Sequence, residues 1–241
     1  MTKTAVVIGV GPLHGLGAKL CLRAAGEGLH VVVAGRTLEK LEAVVAAIAD
    51  AGGTATAVTC DATDEDQVSQ LIEQVEAIGP LDLAIYNAGN NMPSNFLETS
   101  TQHFETCYRV GLLGGFLFCR ETLRHMAPRG EGCLLVTGAS ASMRGKPGFA
   151  AFTAAKGGLR NLAQSLAREF QPQGIHVGHV VVDGGIYGEK IESIYPEFYE
   201  QLGEEGLIGL DGIADAFMFM YRQPRNAWTH ERDLRTHKEN F

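Results

Sequence analysis

The chain of 241 residues alternates short, almost wholly apolar runs with longer segments in which apolar residues recur at helical spacing. Strands that are apolar on both faces are typical of a parallel sheet covered by helices on both sides. The alternation therefore predicts right-handed crossovers and a doubly wound α/β domain. Six runs are the predicted central strands: residues 4–10, 30–34, 54–60, 81–86, 133–137 and 175–182.

The segments between and after these runs predict the helices and the extent of the domain. Apolar residues recur at helical spacing in residues 38–48 and 68–78. A last helix at residues 213–221 and a strand at residues 227–234 complete the pattern. Because no linker or repeat divides the chain, we expect residues 1–241 to form a single Rossmann-type domain. Its sheet should have seven mainly parallel strands with helices on both faces.

The composition argues against several classes of function. A net charge of −8, with no basic run longer than two residues, argues against a nucleic-acid partner. No apolar stretch approaches the roughly 20 residues that cross a bilayer. The five cysteines include no Cys-x-x-Cys pair, so neither a metal site nor a disulfide framework is expected. We expect a reduced, cytoplasmic protein without a membrane partner.

Two long helical segments, residues 101–126 and 148–170, are rich in glycine and alanine. The first holds Gly111, Gly114 and Gly115 in its interior, where each glycine costs ~1 kcal/mol relative to alanine. Such a cost is tolerable where another backbone approaches closely. The approaching element can belong to the same chain or to a second subunit, and the sequence leaves both possibilities open.

A glycine-rich turn links the first strand to a helix, which is the setting in which such a turn binds a dinucleotide. Its glycines permit a tight turn and let the backbone approach a pyrophosphate at the positive end of the helix. Gly11, Gly15, Leu16 and Gly17 are therefore predicted to contact the cofactor. His14 lies inside the turn, either as a further donor to the cofactor or as a neutral surface imidazole.

The end of the second strand indicates which dinucleotide is bound. Folds that bind NAD usually place Asp or Glu here, where the carboxylate accepts from the ribose 2′-hydroxyl. This chain has Arg36 followed by Thr37, and a guanidinium can instead bind a 2′-phosphate. The alternative is a solvated charge at the start of the next helix. The position favours NADP(H) over NAD(H), with Arg36 and Thr37 as binding residues.

These features, with Asn87-Ala88-Gly89 and the pair Phe152-x-x-x-Lys156, resemble the short-chain dehydrogenase/reductase family over nearly the whole chain. The resemblance implies that Asn87, Ala88 and Gly89 border the cofactor ribose. It also implies that Lys156 holds the ribose hydroxyls and thereby orients the nicotinamide.

The same resemblance assigns roles to residues after the third and sixth strands. Asp61 and Ala62 are expected to contact the adenine, although Asp61 also suits a purely structural role at the start of a polar loop. Gly184 and Ile186 fall in the nicotinamide loop. The aromatic and acidic segment 187–210 is predicted to be a substrate lid. In the family the two long helices pair with their copies, so a homodimer or homotetramer is expected.

Three of the four catalytic positions of the family are replaced in this chain. Gly111 stands at the Asn position, Ala139 at the Ser position and Phe152 at the Tyr position. Only Lys156 remains. A benzyl ring has no proton to give, so a conventional ketone reductase is disfavoured. The combination of Phe with a retained Lys resembles a divergent subgroup of the family.

Two residues are candidates for a substitute proton donor. Tyr187 is the first and Ser142 the second, although a tyrosine in such a loop is more often a lid residue whose hydroxyl faces water. The sequence thus predicts an NADP(H)-dependent oxidoreductase that acts on an unknown small-molecule carbonyl or alcohol with a degenerate catalytic tetrad. The alternative is an NADP(H)-binding sensor or structural protein without turnover. A third hypothesis has Lys156 acting as a base in non-redox chemistry.

Overall fold

Seven strands form one sheet in the order β3-β2-β1-β4-β5-β6-β7, and every neighbouring pair is parallel. The computed structural model describes residues 2–89, 91–194 and 196–239, so Tyr195 of the predicted lid lies outside the described residues. The strands are β1 Thr4–Ile8, β2 His30–Gly35, β3 Thr54–Thr59, β4 Leu81–Tyr86, β5 Gly132–Thr137, β6 Ile175–Val182 and β7 Glu231–Leu234. The prediction of a seven-stranded, doubly wound sheet is confirmed.

Helices cover both faces of this sheet. They are α1 Leu16–Gly26, α2 Leu38–Asp50, α3 Glu65–Ile78, α4 Thr101–Tyr108, α5 Gly114–Arg129, α6 Ser140–Met143, α7 Ala150–Phe170, α8 Glu189–Ile194, α9 Pro196–Leu202 and α10 Leu210–Tyr221. Side chains of β1 alternate between two buried clusters. Ala5 and Val7 pack with α1, α2 and α10, whereas Val6 and Ile8 pack with α3, α5 and α7. This alternation explains why β1 is apolar on both faces.

The predicted helix at residues 101–126 is interrupted, which corrects the sequence-based expectation. A π-helical turn, Arg109–Leu113, separates α4 from α5. The buried Tyr86 hydroxyl of β4 donates to the carbonyl oxygen of Val110 within this turn, at 2.5 Å. A π turn widens the helix and changes the pattern of its backbone hydrogen bonds, which periodicity in a sequence does not reveal.

Close packing inside the chain accounts for the glycines of this region. A Cβ atom on Gly111 would lie 2.7 Å from the Cβ atom of Ala155 in α7. One on Gly114 would lie 2.6 Å from the Tyr86 hydroxyl, and one on Gly115 would lie 2.6 Å from Leu159. The glycines are therefore required by contacts within the monomer.

Several element boundaries differ from the predicted ones. The first strand ends at Ile8 because Gly9, at φ 89°, turns the chain away from the sheet. The last strand begins only at Glu231, and the last helix begins earlier, at Leu210. The predicted lid forms α8, α9 and a 3₁₀ turn at Glu204–Gly206. Among the described residues, no helix is both long and apolar enough to span a membrane.

Candidate cofactor and active site

The predicted site residues meet at the carboxyl edge of the sheet. In a doubly wound sheet this edge binds ligands at the point where strand order reverses, which here lies between β1 and β4. Gly9 follows β1 and Asn87 follows β4 at this point. A Cβ atom on Gly9 would collide with the backbone of Ala88, so the two turns lie in direct contact. The fold thus brings the glycine-rich turn and the Asn87-Ala88-Gly89 turn together.

The geometry of the glycine-rich turn fits a pyrophosphate group. A Cβ atom on Gly17 would lie 2.9 Å from the Cα atom of Val10, so the helix packs tightly on the turn. Gly15 caps α1 without a side-chain hydrogen bond to the first helical turn. The amides of Leu16 and Gly17 therefore stand at an uncapped, positive helix end. A Cβ atom on Gly11 would meet nothing within 4 Å, so space remains above the turn.

Asn87 ties three central strands together at this edge. Its Nδ2 donates to the carbonyl oxygen of Gly9 at 3.2 Å, and its Oδ1 accepts from the Thr137 hydroxyl at 3.1 Å. Its backbone amide donates to the carbonyl oxygen of Ile8. Asn87 therefore fixes the ends of β1, β4 and β5 against one another, beneath the predicted position of the cofactor ribose.

Arg36 and His14 lie on the exposed side of the same edge. Gly35 packs on the backbone of Val10, which places Arg36 and Thr37 beside the glycine-rich turn. Among the described residues the Arg36 guanidinium has no hydrogen-bonding or ionic partner, and its side chain is exposed. A guanidinium held free in this position is available to a phosphate group.

Asp61 performs the structural role that the sequence left open. Its Oδ1 accepts from the amide and the hydroxyl of Thr63, both at 2.9 Å, which shapes the loop before α3. The backbone amide of Asp61 donates to the side chain of Gln67. Ala62 is buried next to this loop, and its carbonyl oxygen lies against Gly114. The adenine contact of Asp61 and Ala62 stays a prediction.

Lys156 lies beneath this edge with 4% of its surface exposed. Its ammonium group donates to the carbonyl oxygen of Thr137 at 2.7 Å. A Cβ atom on Gly89 would lie 3.4 Å from Nζ, so the amine faces the open backbone of that turn. Burial lowers the pKa of Lys156 to about 8. An amine with three donors, one of them used by Thr137, can hold ribose hydroxyls above Gly89.

The three positions predicted to be replaced catalytic residues lie on elements that contact or carry this lysine. Phe152 precedes Lys156 by one helical turn on α7 and is half-buried. Ala139 follows β5, and Gly111 lies in the π turn against Ala155. An asparagine at position 111 would collide with Ala155, so the packing between the π turn and α7 is adapted to glycine.

The two candidate proton donors have different surroundings. The Tyr187 ring packs edge-on against His14, with the ring centroids 5.5 Å apart, and it also contacts Tyr199 in α9. It therefore lies over the glycine-rich turn. Ser142 is buried, and its hydroxyl oxygen accepts from the backbone amide of Ala139 at 3.1 Å. Both assignments as acids stay predictions.

The segment predicted to be a lid begins with contacts to the glycine-rich turn and to the residues just before α10. The amide of Glu189 donates to the carbonyl oxygen of His14, and the amide of Tyr187 donates to that of Ile208. Ile186 pairs with Ile208 as an isolated bridge, and a Cβ atom on Gly184 would lie 3.3 Å from the Ile208 side chain. The predicted nicotinamide loop and the start of the predicted lid are therefore one connected layer.

Sequence reasoning missed a buried ion pair next to this loop. Asp183, at the end of β6, accepts two hydrogen bonds from Arg144, at 2.8 and 2.9 Å. Burial alone would raise the pKa of Asp183, but Arg144, Ser140 and Arg235 bring it below its ordinary value. The carboxylate thus stays ionised and ties the segment after α6 to the floor of the site. The sequence did contain a signal, since an Asp directly follows the apolar residues Val180–Val182 at the end of this strand.

A second cluster lies beneath Lys156 and was also missed. His179 in β6 is fully buried, and its Nδ1 lies 2.9 Å from Oε2 of Glu231 in β7. Arg160 of α7 donates two hydrogen bonds to the same carboxylate, at 2.6 and 2.8 Å. The sequence signal for this cluster was a histidine among the apolar residues of a predicted strand. Neither here nor elsewhere in the described part of the chain is a group of three or more His, Cys, Asp or Glu side chains placed to hold a metal ion.

Comparison with known proteins agrees with this arrangement. The family model described as short chain dehydrogenase matches residues 3–188. The chain belongs to the short-chain dehydrogenase family. Glucose 1-dehydrogenase of Gluconobacter oxydans is 33% identical over 177 residues, which cover 72% of this chain and 66% of that protein. The match thus spans slightly less than two thirds of that relative's length.

Solved structures have the same fold over almost the entire chain. A short-chain dehydrogenase from Rhodopseudomonas palustris is 36% identical, with a TM-score of 0.84, and the match covers 98% of this chain and 99% of that one. A variant of actinorhodin polyketide ketoreductase crystallised with NADPH has a TM-score of 0.88 over 100% of both chains. Because the two sequences are only 21% identical, this similarity shows a shared fold alone.

Proposed function

We propose that this short-chain dehydrogenase is an NADP(H)-dependent oxidoreductase that acts on a small or medium-sized apolar carbonyl or alcohol. The observation that carries the proposal is the position of Lys156. Its buried ammonium group faces Gly89, next to an uncapped helix end at the glycine-rich turn. A bound nicotinamide supplies or accepts hydride at this place. The chain itself contributes binding at the turn, orientation by Lys156 and a lid over both.

The preference for NADP(H) rests on Arg36. Its exposed guanidinium beside the turn matches a 2′-phosphate in charge and geometry. The ketoreductase that is similar in fold was crystallised with NADPH, which is consistent with this cofactor. Arg36→Ala should weaken NADPH binding about tenfold or more and leave NADH binding unchanged, as measured by quenching of protein fluorescence. Arg168→Ala, which removes an exposed guanidinium near the end of α7, is the matched control.

The proton donor in this proposal is displaced from position 152. Tyr187 and Ser142 are the proposed donors, and a positioned acid contributes about 10²–10⁴ in rate. The test mixes NADPH with a panel of apolar aldehydes and ketones and follows the loss of nicotinamide absorbance. Tyr187→Phe should then abolish most of the measured rate, with Ser142→Ala as the parallel variant. Full activity in both variants would eliminate both candidates.

The three replaced tetrad positions favour a second function, a cofactor-binding sensor without turnover. The sensor binds NADPH at the same turn and couples binding to the lid through the contact between His14 and Tyr187. Saturable NADPH binding, combined with no oxidation of NADPH by any carbonyl of the panel, would favour this function. A rate that rises on Phe152→Tyr would instead favour the oxidoreductase.

We further propose a homodimer or homotetramer in a reducing, cytoplasmic location. An apolar groove between α5 and α7, lined by Phe116, Leu123 and Leu166 among others, supports the oligomer. Light scattering should give at least twice the monomer mass, and Phe116→Glu should reduce it. All five cysteines are buried free thiols, which is consistent with reducing conditions.

A further inference from the structure

His179 carries a buried polar atom without a partner. The residue is 0% exposed, and among the described residues its Nε2 has no hydrogen-bond partner. Buried polar atoms are almost always paired, so such an atom next to a functional site calls for a physical explanation.

The surroundings of His179 fix which nitrogen carries the proton. Arg160 donates two hydrogen bonds to Glu231. These bonds are the largest cause of the lowered pKa of that carboxyl, which falls to about 2, and the hydrogen bond from His179 lowers it further. An ionised carboxylate only accepts, so the proton of a neutral imidazole is assigned to Nδ1, which faces Glu231. Burial lowers the pKa of His179 to about 4, so the ring is neutral at pH 7. Nε2 therefore presents an unshared electron pair.

This electron pair lies close to the peptide on which Lys156 is anchored. A Cβ atom on Gly138 would collide with Nε2 of His179. Lys156 donates to the carbonyl oxygen of Thr137, in the same peptide unit. The charged groups that face His179 are Lys156 and Arg160 from α7 and Glu231 from β7, while β5 meets it with the backbone of Gly138.

We propose that His179 is a positioning residue for Lys156, because its Nε2 is a second buried acceptor that the ammonium group reaches through one bound water. The inference rests on the proposed function, in which Lys156 orients the cofactor. Thr137 uses one of the three N–H donors, the water bound to His179 takes a second, and the third remains for the cofactor hydroxyls. The second acceptor stabilises the charged lysine, which burial otherwise disfavours.

The ionisation of Lys156 in the cofactor-free, full-length protein tests this proposal. Lysine is labelled with ¹³C at Cε and titrated by NMR, and Lys156→Met identifies the signal. The wild-type signal should titrate above pH 8, the value to which burial alone lowers the pKa of Lys156. In His179→Val it should titrate about one pH unit lower, since a hydrogen bond to a charged group is worth a roughly tenfold change in equilibrium. His179→Gln keeps an acceptor oxygen and a donor for Glu231, and should restore the wild-type value.

An unchanged Lys156 titration in folded His179→Val would overturn the proposal. A measurement on the wild-type ring covers the case in which that variant does not fold. The ¹⁵N resonance of His179 Nε2 should shift when Lys156 is replaced by Met, and an unshifted resonance would also overturn it. Neither readout needs a cofactor, so a failure to bind NADPH contradicts the proposed function alone.

Discussion

Replacing Tyr86 with phenylalanine removes a single oxygen atom from the contact between β4 and the π turn. The Tyr86 side chain is 0% exposed, and its hydroxyl donates to the carbonyl oxygen of Val110 at 2.5 Å. Burial raises the pKa of Tyr86 far above its ordinary value, so the hydroxyl remains a donor at every accessible pH. The substitution leaves the apolar contacts of the ring with Phe118 in place. It therefore isolates the hydrogen bond.

The expected loss follows from the buried position of both partners. Leaving a buried acceptor without its donor costs about 1–3 kcal/mol. For a domain of this size, each kcal/mol lowers Tm by roughly 2–4 °C. In Tyr86→Phe the free energy of unfolding, measured with urea, should therefore fall by about 1–3 kcal/mol. Tyr108→Phe is the matched control, because Tyr108 is exposed on α4, and it should change stability by less than about 0.5 kcal/mol.

A Tyr86→Phe variant as stable as the wild type would refute the reasoning. It would mean that the π turn satisfies the Val110 carbonyl without the phenol. An equal loss in both variants would show instead that the effect belongs to tyrosine removal in general.

Three further predictions concern the same region. Gly111→Asn should destabilise the fold by about 1–3 kcal/mol through its clash with Ala155, and Ala155→Gly should relieve part of this, as measured by urea unfolding. Because the folded pKa of His179 is about 4, below its ordinary 6.5, the unfolded chain binds more protons between these values. Stability should therefore fall as pH drops from 7 to 5, by ~2 kcal/mol from this group, and His179→Gln should flatten the slope. Asp183→Asn leaves Arg144 without its carboxylate and should cost about 2 kcal/mol or more in thermal unfolding.

Each of these predictions has an outcome that contradicts it. A stable Gly111→Asn protein would mean that the π turn has room for a larger side chain. The same slope of stability against pH in wild type and His179→Gln would show that His179 is not neutral in the folded state. An Asp183→Asn variant as stable as Asp233→Asn, where the side chain is partly exposed, would mean that the buried pair contributes no net stability.

The sheet could be predicted because the central strands β1, β2, β4 and β5 are apolar on both faces and each is followed by a helical segment. The ends of the strands were harder to predict, since they depend on single backbone angles such as the positive φ of Gly9. The π turn at Arg109–Leu113 could not be predicted, because it depends on a tertiary hydrogen bond from Tyr86. The glycines of that helix did indicate a close approach, but contacts in space were needed to assign it to α7 and Tyr86.

The candidate site was predictable where it consists of backbone turns and unpredictable where it consists of ion pairs. The glycine-rich turn and Asn87 lie at neighbouring strand ends, so the order of the sheet alone brings them together. Asp183 with Arg144 and His179 with Glu231 join residues far apart in the sequence. Their pairing follows only from the register of β6 with β7 and the path of the segment after α6.

Calorimetric titration of the wild-type protein with NADPH and with NADH tests the central claim most directly. Both titrations use the same protein sample at one ionic strength. If the glycine-rich turn, Arg36 and Lys156 hold the cofactor as described, NADPH binds to a single site per chain, at least about tenfold more tightly than NADH. No heat of binding with NADPH, or an equal or tighter affinity for NADH, would contradict the account.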